Sequence, residues 1–163
     1  MMTKKASEER MIILLEDNDN VVYTIINIAE RLGYKILQTQ DLTQVDYLLE
    51  SKEKLARFDY LIIDLSIPCE YEGYFNEAEL WEMENLSKRI NLSGWLWLKR
   101  FIRKYPESRE KIIILSAYIN YLPEAEKSLH GDGIMFFDKA RTETIPELDE
   151  VISCAKSERK RKS

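Results

Sequence analysis

Charged and hydroxyl side chains that could do chemistry stand at the ends of four short apolar runs of this 163-residue chain. They are Glu16 and Asp17, Asp64, Ser116 and Lys139. Grouped carboxylates repel one another unless a positive charge joins them. A hard divalent cation such as Mg²⁺ prefers oxygen ligands and suits a site that also takes a phosphoryl group. A lysine and a hydroxyl could then hold an anion bonded to one carboxylate, because a carboxylate can attack phosphorus to give an aspartyl phosphate.

The apolar runs before these side chains predict the elements that position them. The strong runs are 11–15, 60–63, 112–115 and 134–137, and a weaker run, 34–39, predicts an edge strand. Such runs are typical of strands buried on both faces of a parallel sheet. Helical periodicity lies between them, over 21–32, 42–56, 95–105, 120–129 and 145–155. The alternation predicts an α/β fold with a five-stranded parallel sheet, helices on both faces, and the candidate residues at one sheet edge.

A long insert, about residues 69–93, interrupts this alternation after Pro68. It has six glutamates between Glu70 and Glu84, and a ragged apolar stripe predicts a helix over about 76–90. Two interpretations stay open: a flap over 71–92 that controls access to the neighbouring sheet edge, or an insert that packs on its own scaffold. In the helix that follows, Trp95 and Trp97 cannot share one face. We therefore expect Trp95 in the core and Trp97 exposed, on the side of the insert.

Composition indicates one domain, over 11–155, between an N-terminal arm (1–10) and a basic tail (156–163). The net charge of −5 argues against nucleic-acid binding by the whole surface. Cys69 and Cys154 have no metal-site spacing, and two thiols in a chain of this size indicate reduced, cytosolic residues. No apolar segment is long enough to span a bilayer. We therefore expect a cytoplasmic protein without membrane insertion.

The strand-end segments resemble, in order along the chain, the motifs of receiver domains of two-component response regulators. The segments are Leu-Leu-Glu16-Asp17-Asn, Ile-Asp64-Leu-Ser-Ile-Pro68, Leu-Ser116-Ala117 and Phe136-Phe-Asp-Lys139. Each motif alone is weak, but together they cover nearly all of residues 11–155. The resemblance implies a flavodoxin-like, doubly wound sheet with the strand order 2-1-3-4-5.

The resemblance also implies how the site would work. Asp64 would accept a phosphoryl group from a histidine kinase or a phosphotransfer protein. Asp17 and Asp64 would bind Mg²⁺ directly, Glu16 would bind it through water, and the Ser66 carbonyl would be a further ligand. Lys139 would pair with the phosphate.

A conformational switch and an output surface are implied in the same way. Ser116 would swing toward the phosphate, and Phe136 would follow as the aromatic half of the switch. The output surface would be strand four, the fourth core helix, strand five and the last helix. That face would bind an output protein that the sequence does not identify, or would form a homodimer.

Two features depart from the family pattern. Ala140 stands where receivers commonly have proline, which predicts a trans or rearranged loop after Lys139. The insert lengthens the chain between Asp64 and Ser116.

We expect a stand-alone receiver that is not an enzyme beyond its own phosphorylation and dephosphorylation. The alternatives are a pseudo-receiver that only binds partners, and a Mg²⁺-dependent phosphohydrolase. The latter usually needs a second carboxylate where this chain has Ser66.

Overall fold

The computed structural model describes residues 10–50, 52–69 and 73–162, and only the backbone of residues 52 and 155–162. The strands of this part are β1 (Met11–Leu15), β2 (Lys35–Thr39), β3 (Phe58–Ile63), β4 (Ile112–Ser116) and β5 (Met135–Asp138). The α-helices are α1 (Asp19–Arg31), α2 (Leu42–Leu48), α3 (Lys52–Ala56), α4 (Glu77–Leu86), α5 (Ser93–Lys104), α6 (Glu124–His130) and α7 (Thr144–Lys162). Two 3₁₀ helices, Pro106–Lys111 and Ile119–Tyr121, flank β4.

The five strands form one parallel sheet in the order β2-β1-β3-β4-β5. This confirms the flavodoxin-like topology, and β2 is an edge strand as predicted. The pairing of Leu15 with Ile63, Ile63 with Ile114, and Ser116 with Asp138 aligns the strand ends. As a result, the residues that follow the strands share one edge of the sheet.

Helices cover both faces of the sheet, because side chains alternate along each strand and both sets are apolar. On one face, Ile25 of α1 and Leu148 and Ile152 of α7 pack on the sheet. On the other face, Val45 of α2 and Leu98 of α5 belong to a larger core cluster. The sheet is therefore doubly wound, as predicted.

Three of the helices predicted outside the insert need correction. The predicted helix 42–56 is two helices, α2 and α3, because the chain leaves helical geometry at Leu49. The predicted helix 120–129 is a 3₁₀ turn followed by α6, with Pro123 as the N-cap between them. Proline has no backbone N–H and does not continue a helix. The last helix extends beyond residue 155 to Lys162.

The predicted helix of the insert is α4, which ends at Leu86 rather than near residue 90. Asn76 and Glu79 begin it with a capping box: Glu79 N donates to Asn76 Oδ1 at 2.8 Å, and Asn76 N donates to Glu79 Oε1 at 3.2 Å. This reciprocal bonding satisfies two N–H groups that would otherwise lack helical partners. Met83 is the buried residue of α4.

Trp97 is buried, with 1% of its surface exposed, so the expectation that it is exposed is wrong. Its indole Nε1 donates to Asp46 Oδ1 of α2 at 2.7 Å, and its ring stacks on Phe101 at 5.0 Å between centroids. Tyr74, just before α4, donates to the other oxygen of Asp46. Helix α5 is therefore covered on more than its sheet-facing side, while Trp95 is buried as predicted.

Parts of the predicted domain organisation lie outside the described residues. These are positions 1–9 of the N-terminal arm, positions 70–72 of the insert, and the side chains of the basic tail. Among the helices that the structure describes, none combines the length and the apolar run that crossing a bilayer requires.

Candidate phosphoacceptor and metal site

The structure brings the candidate residues together at the carboxyl edge of the sheet. Residues 16 and 64 follow the central strands β1 and β3, where Asp64 N donates to Leu15 O at 3.2 Å. Ser116 ends β4, and Lys139 follows β5 with its backbone N donating to Ser116 O at 3.1 Å. Ladder-type hydrogen bonds thus continue past the strands and hold the backbone of the site.

The Asp64 carboxylate has a donor on each oxygen. Oδ1 accepts from Ser116 Oγ at 2.6 Å and from Ser66 N at 3.2 Å. Oδ2 accepts from Lys139 Nζ at 2.6 Å. Asp64 is 5% exposed, and a carboxylate that is this buried needs such partners because desolvation penalises its charge.

Glu16 is the most buried acid of the site, with 1% of its surface exposed. Its Oε1 accepts from the backbone N of Asp17 at 3.1 Å and of Asn18 at 2.9 Å, and its Oε2 forms an ion pair with Lys139. Burial raises the pKa of Glu16 from 4.5, although Lys139 and the Asn18 N–H both act to lower it. The carboxylate therefore gains less from its partners than it loses by leaving water.

Lys139 is the cation between the two acids. Burial acts to lower its pKa, but the hydrogen bonds and charges of Asp64 and Glu16 together raise it above 10.5. Burial is the largest single influence on both pKa values: for Lys139 the hydrogen bonds and charges of the two acids together outweigh it, whereas for Glu16 the partners do not. Lys139 therefore stays charged near neutral pH, with its amine bonded to both carboxylates.

Asp17 completes a cluster of three acids. One carboxylate oxygen each of Glu16, Asp17 and Asp64 lies within 4.8 Å of the others. Asp17 is exposed whereas its two neighbours are buried, so the cluster opens to solvent on one side. Three hard oxygen donors with an open side fit Mg²⁺, which keeps several waters when it binds.

Ser116 and Phe136, the predicted switch residues, lie on the adjacent strands β4 and β5, with Ser116 at the sheet edge and Phe136 two residues before the end of β5. Ser116 is fully buried, and its Oγ also accepts from Tyr118 N at 3.1 Å. The Phe136 ring lies 6.2 Å from the ring of Trp95 in α5. Ser116 therefore contacts Asp64, the candidate phosphoacceptor, directly. Phe136 contacts α5, the helix that begins beside Asp64.

The loop after Lys139 keeps the lysine in place without a proline. No cis peptide bond occurs among the described residues, which agrees with the trans loop expected at Ala140. Ala140 N donates to Asp138 Oδ1 at 2.8 Å, and Thr144 Oγ1 donates to Asp138 O. These bonds hold the turn into α7, so the carboxylate and carbonyl of Asp138 fix the loop.

Sequence reasoning missed two residues that support the loop after Asp64. Ser93 Oγ donates to Ile67 O at 2.5 Å and accepts from Ile67 N at 3.0 Å, while Gly94 N donates to Leu65 O at 2.9 Å. A Cβ on Gly94 would lie 2.1 Å from Asp64 O. The glycine directly before the predicted helix 95–105, where the chain returns from the insert, was the available signal for this close approach.

Solved structures show what this fold resembles. The receiver domain of a sensor histidine kinase from Pseudomonas aeruginosa is 20% identical with a TM-score of 0.56, over 91% of this chain and 98% of that one. That structure has a magnesium ion coordinated in the active site cleft. The signal receiver domain of an HD domain-containing protein from Pseudomonas fluorescens is 17% identical with a TM-score of 0.56, over 90% and 95% of the two chains.

The chemotaxis response regulator CheY4 of Vibrio cholerae is a third similar structure. It is 15% identical with a TM-score of 0.56, over 88% of this chain and 98% of that one. This chain has the receiver fold. No protein-family model and no curated protein sequence matches it. At these identities the likeness is in the fold, and the chemistry of the site has to be argued from its own residues.

The insert is the main departure from the receiver motifs, and its contacts anchor it to α5 and α6. Lys99 of α5, 9% exposed in its side chain, forms ion pairs with Glu82 of α4 and Glu126 of α6. Glu126 Oε2 also accepts from Trp95 Nε1 at 3.2 Å. A second ion pair joins Arg100 to Glu79. The insert helix is therefore tied to the helix that contacts Phe136.

Replacing Lys99 with methionine should test this anchor. We expect the free energy of unfolding to fall by about 2 kcal/mol, because Glu126 loses a charged hydrogen bond in a half-buried position. Arg103→Met on the same helix is the matched control, since Arg103 is exposed, and its effect should stay within about 0.5 kcal/mol. Urea denaturation measures both variants. Equal effects would show that Lys99 does not anchor the insert.

Proposed function

We propose that this chain is a receiver that accepts a phosphoryl group on Asp64 in a Mg²⁺-dependent reaction. The observation that carries the proposal is the Asp64 carboxylate, which has Lys139 on one oxygen and Ser116 on the other. These groups can hold the oxygens of a phosphoryl group once it is bonded to Asp64. The sheet edge, the motif order and the receiver fold support the same conclusion.

The proposed donor is a phosphohistidine of a histidine kinase or phosphotransfer protein. An oxygen of Asp64 forms the new bond to phosphorus, the phosphorus–nitrogen bond breaks, and its electron pair stays on the imidazole. The chain's own residues contribute positioning and charge neutralisation, which are the main requirements of phosphoryl transfer. Lys139 would move from its carboxylate partners to the phosphoryl oxygens, and the Ser116 hydroxyl would donate to one of them.

Glu16, Asp17, Asp64 and the Ser66 carbonyl would hold the Mg²⁺ ion, and the ion would neutralise charge on the transferring group. The product would act as a signal through Ser116 and Phe136 rather than as an enzyme turning over a substrate. The output surface that this assigns is β4, α6, β5 and α7. An output protein or a second copy of the chain would bind there.

Intact mass after incubation with Mg²⁺ and acetyl phosphate tests the proposal. We expect the mass of one phosphoryl group to be added, and the addition to be absent without Mg²⁺ and in Asp64→Asn. Asp17→Asn separates the metal from the acceptor, because Asp17 is exposed and makes no ion pair with Lys139. This variant should keep its apo stability within about 0.5 kcal/mol and lose the stabilisation by Mg²⁺.

Two results would contradict the proposal. Binding of Mg²⁺ with no phosphoryl addition from acetyl phosphate or from a phosphotransfer protein would favour a pseudo-receiver that only binds partners. Turnover of generic phosphate esters, abolished in Asp64→Asn, would instead favour a phosphohydrolase.

A further inference from the structure

The outward face of α4 carries an exposed indole between two carboxylates. Trp81 is 70% exposed and Leu80 beside it is 49% exposed. Glu77 stands four residues before Trp81 and Glu84 three residues after it, so both lie one helical turn away on the same face. Both glutamates are exposed. The face therefore presents a large aromatic surface with negative charge on either side.

Trp81 is exposed on a helix whose opposite side is fixed by several contacts. The capping box begins α4 at Asn76, Met83 is buried beneath it, and ion pairs join Glu79 and Glu82 to α5. The inner and outer faces of α4 are thus distinct. Trp81 stays on the outer face because the inner contacts set the rotation of the helix.

The negative charge of this face has no compensation among the described residues. Neither Glu77 nor Glu84 forms an ion pair there, and α4 contains no lysine or arginine. Glu84 also lies in the last turn, where the helix dipole disfavours an anion. The intramolecular contacts therefore do not explain these carboxylates.

Two other exposed or half-buried aromatic rings, Tyr47 and Tyr74, each have a cation over them. Lys54 lies 4.7 Å above the ring of Tyr47, and Arg100 lies 5.2 Å from the ring centre of Tyr74. Within the described part of the chain, no cation lies over Trp81. Indole is the side chain that binds cations best in this way.

We propose that the outer face of α4 is a docking surface for a lysine- and arginine-rich segment of a partner protein. A guanidinium or ammonium group stacks on Trp81, and neighbouring basic residues pair with Glu77 and Glu84. Tryptophan at the centre of a polar rim is the usual composition of an energetic hot spot in an interface. The proposal does not depend on phosphorylation of Asp64, which lies at the sheet edge.

Tryptophan fluorescence provides the first test, because Trp95 and Trp97 are 0% and 1% exposed. Quenching by iodide therefore reports mainly on Trp81. The probe is a peptide of alternating arginine and serine, and a peptide of alternating glutamate and serine is the charge control. We expect the basic peptide to protect Trp81 from iodide in a salt-dependent manner, and the acidic peptide to have no effect.

Calorimetric titration of the same basic peptide compares the variants. Trp81→Ala and Glu77→Gln/Glu84→Gln should each weaken binding about tenfold or more. Tyr23→Ala, which removes another exposed aromatic ring, should leave binding unchanged. Thermal unfolding of each variant is the control for folding, and we expect little change because the substituted positions are exposed.

Absence of binding, or equal binding by the wild type, Trp81→Ala and the double glutamine variant, would overturn the proposal. Self-association of the wild type in sedimentation velocity, lost in Trp81→Ala, would assign this face to a second copy and would overturn the proposed partner. Asp64→Asn should abolish phosphorylation without changing iodide quenching, peptide binding or self-association. This proposal and the proposed function can therefore fail separately.

Discussion

Lys139→Met is expected to lower the free energy of unfolding by about 3 kcal/mol at neutral pH. The substitution leaves the carboxylates of Glu16 and Asp64 without their shared cation, and both are buried. Removing one partner of a buried ion pair costs more than the pair itself contributes, because the remaining charges stay desolvated. Phosphorylation by acetyl phosphate should be lost together with this stability, since the phosphoryl oxygens lose their fixed positive charge.

Mg²⁺ should stabilise the Lys139→Met variant more than it stabilises the wild type. In the wild type the metal competes with an ammonium group that already neutralises the acids, whereas in the variant it replaces that group. Urea denaturation with and without Mg²⁺ measures the difference. Equal stabilisation of both proteins would contradict a metal site formed by the carboxylates that Lys139 contacts.

The pH dependence of stability gives a second measurement on Lys139. Its pKa in the folded protein is raised above 10.5, mainly by hydrogen bonds to Asp64 and Glu16 acting against burial. The stabilisation is therefore complete below 10.5 and is lost as the pH rises through the higher folded-state value. The wild type should lose its advantage over Lys139→Met in that alkaline range. Parallel curves for the two proteins would show that the ammonium group is not the source of the stability.

Gly94→Ala should also cost about 3 kcal/mol, against the helix propensity that would favour alanine by about 1 kcal/mol. The added Cβ would lie 2.1 Å from Asp64 O and 3.0 Å from Leu65 O. Both are backbone atoms. The backbone of Asp64 cannot move away easily, because Asp64 N donates a hydrogen bond to Leu15 O at the end of the neighbouring strand β1. The clash therefore outweighs propensity, and the Asp64 loop has to shift.

A shifted Asp64 should lower both the affinity for Mg²⁺ and the rate of phosphorylation, which calorimetry and intact mass measure. Gly73→Ala is the control for adding a methyl group to a glycine. Gly73 has a φ of +80°, but a Cβ there would meet nothing within 4 Å. Its cost should be about 1 kcal/mol, from the left-handed conformation alone, with the site unchanged. Equal losses in the two variants would exclude the close approach at Gly94 as the cause.

Residues of the candidate site could be located from the sequence because the end of an apolar run marks both the end of a strand and the position of a site residue. Each apolar run ends where the chain reaches the sheet edge, so the polar residue that follows it lies at that edge. Glu16, Asp64 and Ser116 follow their runs directly, and parallel alignment of the strands brought them together. Local pattern and global topology agree there, which is why the parallel arrangement of the strands and the position of the acids were predicted together, whereas the strand order was implied by the resemblance to receiver domains.

Helix boundaries and helix burial were predicted less well. The amphipathic pattern over 42–56 continues across the break between α2 and α3, since Leu48, Leu49 and Leu55 all contact the same core. Periodicity reports which residues face the core and does not report where the backbone changes direction. Pro123 was a local signal that should have ended the prediction of one helix over 120–129.

By itself, the sequence determined the five strands, their parallel arrangement and the group of acid, hydroxyl and amine side chains at one edge, because these follow from short-range patterns. Only the tertiary structure decided that Trp97 is buried, that Lys99 joins the insert to α6, and that Gly94 lies against the backbone of Asp64. Each of these depends on contacts between residues far apart in the chain. No local pattern encodes such contacts, because the partner that covers a side chain is chosen by the packing of whole elements.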